Sequence, residues 1–182
     1  MDLLTATDRI ALPWKNGGGV TFDVASFPEG SSLDTFAWRI SIAEVAGDGP
    51  FSRFEGIDRS TAILAGEGFR LTFGDGRVED LRLDAPALAY PGDVDAQCTL
   101  LGGPVRDLNV MTRRGVYRHR LRLVSGDCVV EGEAVLVCPR GAARITTAGR
   151  ATITLHDGDA LVLSSQRFHG DEPVWLVELI PV

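Results

Sequence analysis

Lysine is nearly absent from this chain: Lys15 is the only lysine among its 18 lysines and arginines. It stands in segment 13–19, which reads Pro-Trp-Lys-Asn-Gly-Gly-Gly. Consecutive glycines allow positive φ angles and let the backbone approach another group closely. A lysine ammonium offers three hydrogen-bond donors on a compact charge. The segment therefore predicts a site for an anion or a polar group, although an ordinary glycine turn in an arginine-rich protein would have the same sequence.

Features of membrane, secreted and nucleic-acid-binding proteins are also missing. No run approaches the roughly 18 apolar residues of a membrane span, and the N-terminus lacks the basic start and apolar stretch of a signal peptide. The three cysteines, an odd number without metal-site spacing, predict reduced thiols in a cytoplasmic protein. The net charge of −7 argues against nucleic acid. We expect the alternating arginines of segment 118–122 to be solvated or paired with acidic residues.

Helical periodicity is missing as well, and short strands take its place. Segment 37–43 alternates clearly, with apolar side chains on one face and Arg39 and Ser41 on the other. Segments 69–73 and 78–83 flank a Gly-Asp-Gly turn and predict a hairpin. Many such segments, separated by glycine, proline and aspartate, predict an all-β sandwich or barrel.

The dipeptide Gly-Asp occurs at two matched positions, 92–93 and 158–159, each preceded by a glycine-rich hairpin pattern. Two such turns in one chain predict a duplicated β-barrel half, and 182 residues are enough for two small fused units. We therefore expect an N-terminal half, residues 1–115, that carries the ligand pocket. A C-terminal half, residues 116–182, would pack against it so closely that the two act as one unit.

These turns resemble the second conserved motif of cupin barrels, which normally bind a metal through a His-x-His pair, a glutamate and a later histidine. Those ligands are missing here. His119, His156 and His169, the three histidines, are far apart in the sequence, whereas a transition-metal site needs three or four converging ligands. We expect no protein-ligated metal and no other cofactor.

Arginine and amide side chains occupy positions where a pocket would need polar groups. On an open strand Arg39 and Ser41 would face solvent, whereas in a barrel the same face would line the interior. Asp107, Asn109 and Met111 alternate on one face of another strand, which is unusual for a surface strand and favours a pocket floor. Two arginine–carboxylate anchors with a few backbone N–H groups would reach about −8 kcal/mol, or micromolar affinity. A small carboxylic acid is therefore the predicted ligand class.

Four parts of the chain, taken in order, resemble the HutD/Ves family. They are segment 13–19, Trp-Arg-Ile-Ser-Ile-Ala at 38–43, Gly-Pro-Phe-Ser at 49–52 with Asp-Arg at 58–59, and Asp-Leu-Asn-Val-Met at 107–111 with Arg-Arg at 113–114. The resemblance implies a bicupin fold, with two cupin-like barrels in one chain and without the usual metal ligands. It also implies an association with bacterial histidine utilisation, where the family is proposed to bind N-formylglutamate and to moderate flux or expression.

The leading hypothesis is a metal-free regulator that binds a small carboxylate such as N-formylglutamate. We expect Lys15, together with Arg39 or Arg59, to hold carboxylates, while other polar groups orient the ligand and apolar groups wall the pocket. The predicted ligand-binding residues are Trp14, Lys15, Asn16, Gly17, Arg39, Ser41, Phe51, Ser52, Arg59, Asn109, Met111 and Arg113. No catalytic residue is assigned.

Two other interpretations stay open. One is a metal-independent isomerase or lyase that acts on a small acid, with His119, Asp107 or Glu44 as its general base. The other is a structural barrel that binds a protein partner. Under the leading hypothesis we expect a small anionic metabolite as the partner, no nucleic acid and no membrane, and we leave a homodimer open.

Overall fold

The computed structural model describes residues 1–14, 17–149 and 152–182, and this part of the chain consists mainly of β-strands. The strands are β1 (Asp2–Leu4), β2 (Ala11–Pro13), β3 (Gly19–Phe27), β4 (Trp38–Val45), β5 (Gly49–Phe51), β6 (Ile57–Ala65), β7 (Phe69–Phe73), β8 (Val78–Leu81), β9 (Leu88–Pro91), β10 (Ala96–Leu100), β11 (Val105–Arg113), β12 (Tyr117–Val137), β13 (Ala142–Thr147), β14 (Thr152–His156) and β15 (Ala160–Pro181). A short 3-10 turn, Ala6–Asp8, lies between β1 and β2, and the described residues form no α-helix. The all-β prediction is confirmed.

Two compact units divide the chain: Ile10–Val116, and Met1–Arg9 with Tyr117–Val182. The first unit contains a six-stranded sheet in the order β2-β3-β4-β11-β6-β9 and a four-stranded sheet in the order β5-β10-β7-β8. Neighbouring strands in both sheets are antiparallel. The hairpin predicted from segments 69–73 and 78–83 is present as β7 and β8.

Three adjacent strands of the six-stranded sheet, β4, β11 and β6, align their polar side chains in rows. Asn109 of β11 lies between Ser41 of β4 and Thr61 of β6. Two residues further along β11, Met111 lies between Arg39 and Arg59. Because side chains alternate along a strand, these residues share one face of the sheet.

The same face of the sheet also carries part of an apolar core. Val45, Ile63, Tyr90 and Val105 from the six-stranded sheet pack in one cluster with side chains of the smaller sheet. The smaller sheet contributes fully buried residues such as Phe69, and burying a side chain of this kind stabilises the fold by about 1.5–3 kcal/mol. The polar rows therefore lie in the interior of the first unit and do not face solvent.

The second unit is a five-stranded antiparallel sheet built on two long strands. β15 pairs with β1, β12 and β13, and β13 pairs with β14. The sequence predicts several short strands in 118–138 and in 160–180, but each region forms one strand, of 21 and 22 residues. Gly126 and Gly132, both at positive φ, mark bends near register shifts. Bends and bulges of this kind interrupt the alternation without ending the strand pairing, which is why the pattern looks broken in the sequence.

The cysteines and the hydropathy of the described residues add two facts. Cys98 and Cys138 are buried, Cys128 is half-buried, and all three are free thiols. Within the described ranges, no helix has the length and apolar character to cross a membrane.

Candidate functional site

Arg59, like Arg39, is a buried cation on the interior face of the six-stranded sheet. It lies on β6, only 9% of its surface is exposed, and its Nε donates a hydrogen bond of 2.8 Å to Asn109 Oδ1. Its NH2 group donates to the same oxygen. Among the residues that the structure describes, no carboxylate oxygen lies within ion-pairing distance of its guanidinium. A buried charge is normally paired, so Arg59 is suited to receive an anion.

Two aromatic rings flank this guanidinium. Its carbon Cζ lies 4.9 Å from the ring centroid of Phe51 and 5.5 Å from that of Tyr90. Both rings are within the range in which an aromatic face attracts a cation. The rings stabilise the charged side chain and limit the directions from which a ligand could approach it.

Asn109 connects Arg59 to an acid on the same strand. Its Oδ1 accepts from Arg59 and from Thr61 Oγ1, the latter at 3.1 Å. Its Nδ2 donates to Asp107 Oδ2 at 2.6 Å. Thr61 Oγ1 also lies 3.2 Å from the hydroxyl of Tyr90. Donors on one side and a carboxylate on the other set the orientation of the amide.

Asp107 is fully buried and only half satisfied. Its Oδ2 accepts from Asn109, but Oδ1 has no hydrogen-bond partner within the described part of the chain. Burial raises the pKa of this carboxyl from 3.8 to about 7, against the opposing effects of the Arg59 charge and the Asn109 hydrogen bond. The side chain can therefore change its protonation state close to neutral pH.

Arg39 and Ser41 face the interior, so the structure decides between the two orientations that the sequence allows. Arg39 is 8% exposed and Ser41 is 2% exposed. Arg39 forms an ion pair with Asp23 of β3, whose side chain is half exposed. The Arg39 charge is therefore already partnered, in contrast to that of Arg59.

The hairpin between β2 and β3 brings Trp14 to the same region. Trp14 Nε1 donates to Thr21 Oγ1 at 2.8 Å, and its ring meets Phe51 edge-on at 6.4 Å between centroids. Gly17, an exposed residue with φ of +71°, donates its N–H to the Trp14 carbonyl at 3.0 Å. Lys15 and Asn16, two of the predicted ligand-binding residues, lie outside the described residues.

The remaining predicted residues have other surroundings. Met111 packs with Phe36 and Ile57 in a small apolar cluster. Arg113 donates to two backbone carbonyls, Phe36 O at 3.0 Å and Asp34 O at 2.9 Å, and so ties down the segment before β4. Ser52 is exposed beyond β5.

Four residues at this site were missed in the predicted set: Asp23, Thr61, Tyr90 and Gly19. Thr61 follows Arg59 by two positions on β6, a strand that the sequence patterns above do not predict, so strand alternation gave no usable signal for it. Tyr90 stands directly before Pro-Gly-Asp, where nothing in the sequence points to Arg59. A Cβ on Gly19 would collide with Glu44 O and would lie 3.2 Å from the Trp14 ring, which only the folded hairpin reveals.

No cluster of three or more metal-ligating side chains occurs in residues 1–14, 17–149 and 152–182. His156 and His169 are exposed, and His169 Nδ1 lies 2.9 Å from Asp127 Oδ1. Arg122, one of the alternating arginines of segment 118–122, forms a 3.0 Å ion pair with Glu178.

Comparison with known proteins decides the family. The HutD family profile matches residues 6–175, which is nearly the whole chain. The chain belongs to the HutD family. It is 40% identical over 126 residues to an uncharacterised 21.2 kDa protein in the hutC 3′ region of Pseudomonas putida. It is 35% identical over 111 residues to protein Ves of Citrobacter koseri.

These alignments cover 69% and 60% of this chain, and 65% and 56% of the two relatives. The matched part thus spans less than two thirds of the length of each curated relative.

Solved structures match over a larger share of the chain. HutD from Pseudomonas fluorescens SBW25 has a TM-score of 0.86 at 27% identity, covering 100% of this chain and 98% of that one. A conserved protein of unknown function from Pseudomonas aeruginosa PAO1 has the same TM-score at 33% identity, with 98% of both chains covered. An oxalate decarboxylase from Lactobacillus farciminis, at 10% identity and a TM-score of 0.65, covers 98% of this chain and 85% of its own. This last match shows a cupin-like fold and nothing about activity.

Proposed function

We propose that this protein is a cytoplasmic, metal-free bicupin that binds a small carboxylate, such as N-formylglutamate, and moderates the flux or expression of histidine utilisation. Residues 1–115 and 116–182 would be its two cupin-like halves, with the ligand pocket in the first. Membership of the HutD family, together with the hutC-region relative, supports the link to histidine utilisation. The free cysteines support the proposed cytoplasmic location.

The observation that carries this proposal is the set of neutral groups that surround the buried Arg59 guanidinium. Arg59 is 9% exposed, and its guanidinium has a neutral amide and two aromatic rings as neighbours. Arginine forms bidentate, charge-assisted hydrogen bonds with carboxylates, each contributing about 1.5–3 kcal/mol. A ligand carboxylate would give this buried charge a directly bonded counterion, which the described residues do not provide.

A second anchor would hold the other end of a dicarboxylate. Arg39 stands across β11 from Arg59 on the same face of the sheet, but a ligand would have to compete with Asp23 for its guanidinium. Lys15 stays a predicted second anchor. We expect Lys15→Met to lower the affinity at least about tenfold, the equivalent of 1.4 kcal/mol, with the free energy of unfolding unchanged; unchanged affinity in calorimetry would remove Lys15 from the site.

The proposal is tested by calorimetry with a panel of small acids: N-formylglutamate, glutamate, urocanate and simple dicarboxylates. We expect saturable binding of at least one carboxylate. At 100 times its dissociation constant, that ligand should raise the free energy of unfolding by about 2.7 kcal/mol. If no acid binds or stabilises the chain, the carboxylate proposal is wrong, and a barrel that binds a protein partner becomes the better explanation.

One observation favours a second candidate, a metal-independent isomerase or lyase. A general base should have a pKa near the working pH, and burial raises the pKa of Asp107 to about 7. Of the other two candidate bases, Glu44 is exposed and His119 is half-buried on β12, in the second unit. Formation of a product from any acid of the panel, lost in Asp107→Asn, would support the enzyme; binding without turnover would support the regulator.

A further inference from the structure

Asp107 leaves one hydrogen-bond acceptor without a partner inside the first unit. The residue is 0% exposed, and its Oδ1 has no hydrogen-bond partner among the described residues. Buried carboxylate oxygens are almost always hydrogen-bonded. An unsatisfied one at a candidate binding site needs an explanation.

The neighbours of Asp107 on the sheet cannot donate to it with their side chains. Its partners across the ladder are Ala43 on β4 and Ile63 on β6, both apolar. The next side chain on the same face of its own strand towards the C-terminus, Asn109, donates to Oδ2. Cys98 stays protonated, since burial and the Asp107 charge raise its pKa to about 12, but its thiol does not satisfy Oδ1.

Asn109 links Asp107 to Arg59 and determines which atoms of this hydrogen-bond network can still donate to a ligand or accept from it. Because Asn109 Oδ1 already accepts from Arg59 and Thr61, it is not a free acceptor for a ligand. Arg59 can only donate, and the ionised Asp107 can only accept. The two ends of the network are therefore complementary to a group that contains both an acceptor and a donor.

We propose that Asp107 is a specificity-determining residue whose Oδ1 accepts a hydrogen bond from the ligand, so that the site selects acids with an N–H or O–H beside the carboxylate or carbonyl held by Arg59. The ligand class is an N-acylated or hydroxylated carboxylic acid, as opposed to a plain dicarboxylate. This inference rests on the proposed carboxylate-binding function and adds a requirement to it. A site built to bond a donor rejects an analogue that lacks the donor, because its buried acceptor is then left unpaired.

The test compares ligands that differ at the N–H alone, by calorimetry with the full chain at pH 8.5, where Asp107 is ionised. N-acetylglutamate is matched with 2-acetoxyglutarate, in which an ester oxygen replaces the N–H. N-formylglutamate is matched with its N-methyl derivative. We expect the member with the N–H to bind at least about tenfold more tightly in each pair, as for other buried hydrogen-bond deletions.

The variant Asp107→Asn separates a direct contact from a general effect of shape. Its side chain has the same size, and its amide oxygen should keep the hydrogen bond from Asn109. The NH2 group of the substituted side chain then faces the ligand in place of Oδ1. We expect the preference for the N–H to disappear or to reverse towards the ester. Asp171→Asn is the matched control, since Asp171 pairs with Arg144 in the other unit, and it should keep the wild-type preference.

Each outcome decides a different claim. Equal binding within each pair, or an Asp107→Asn variant that folds and keeps the wild-type preference, overturns this inference and leaves the carboxylate proposal standing. If no member of either pair binds the wild-type protein and the acid panel fails too, the proposed function is wrong and this inference falls with it. If Asp107→Asn does not fold, the two wild-type pairs still decide the question.

Discussion

At the level of single residues, the site is defined by charges whose partners differ. Arg39 is paired with Asp23, whereas Arg59 has the amide of Asn109, and Asp107 has one satisfied oxygen and one without a partner. The alternation of 107, 109 and 111 predicts a polar pocket floor, and the structure places all three inside. The sequence does not reveal which polar atoms bond to one another, because that depends on register across three strands.

The raised pKa of Asp107 has a consequence for stability. Its value is about 7 in the folded state and 3.8 in the reference state, so between these pH values the folded chain binds more protons than the unfolded one. The stability contributed by this group is fully present below about pH 4 and is lost as the pH rises towards 7. Above pH 7 this group causes no further change in the free energy of unfolding. The loss is at most about 4 kcal/mol.

We therefore expect wild type and Asp107→Asn to differ in the pH dependence of their free energies of unfolding. Asparagine does not titrate, so the decrease between pH 5 and about 7 that is due to this group should be absent from the variant. Urea unfolding of both proteins at a series of pH values measures the difference and cancels the titration of the histidines. Parallel curves would show that Asp107 is ionised throughout this range.

At the level of elements, the β2–β3 hairpin holds Trp14 against the first unit. The glycines of segment 13–19 predict a close backbone approach, and Gly19 makes it: its position allows no Cβ, because Glu44 O and the Trp14 ring are too near. The strand pattern of the second unit was harder to predict. Bends at Gly126 and Gly132 divide β12 into parts that look like separate strands in the sequence.

We expect Gly19→Ala to destabilise the protein by about 1–3 kcal/mol, since the added methyl would force the backbone of β4 or the indole to move. Gly47→Ala is the matched control: no atom lies within 4 Å of its Cβ position, and its φ is not in the left-handed region. Its effect should stay within about 0.5 kcal/mol. Urea unfolding measures both, and tryptophan fluorescence reports the surroundings of Trp14. Equal effects of the two substitutions would show that the hairpin is free to adjust.

At the level of the whole molecule, the negative charge does not favour an anionic ligand. The net charge is −7, and surface arginines form ion pairs with carboxylates of the chain itself, as Arg70 does with Asp80 and Arg114 with Asp93. A bound anion would therefore have to be held by short-range contacts, which the proposed site in the first unit would supply. Composition predicts this need for a local site, and the resemblance identifies the family, but neither reveals that Arg59 is a buried cation without a carboxylate partner among the described residues.

A buried anchor in an acidic protein predicts an unusual dependence on salt. Exposed charges are screened at about one Debye length, roughly 10 Å at 0.1 M salt, whereas buried pairs are screened much less. We expect the affinity for the bound carboxylate to change less than about threefold between 0.05 and 0.5 M sodium chloride. A steep loss of affinity with salt would place the anion on an exposed basic surface instead.

Whether Arg59 holds the ligand carboxylate is tested by titrating the best-binding carboxylate into wild type, Arg59→Met and the control Arg122→Met, which removes an exposed arginine paired with Glu178. We expect Arg59→Met to fold and to keep the hydrogen bond from Thr61 Oγ1 to Asn109 Oδ1. It should bind the carboxylate at least about a hundredfold more weakly, the equivalent of 2.7 kcal/mol. The control should bind as wild type does. Unchanged affinity in a folded Arg59→Met protein would show that Arg59 does not hold the carboxylate.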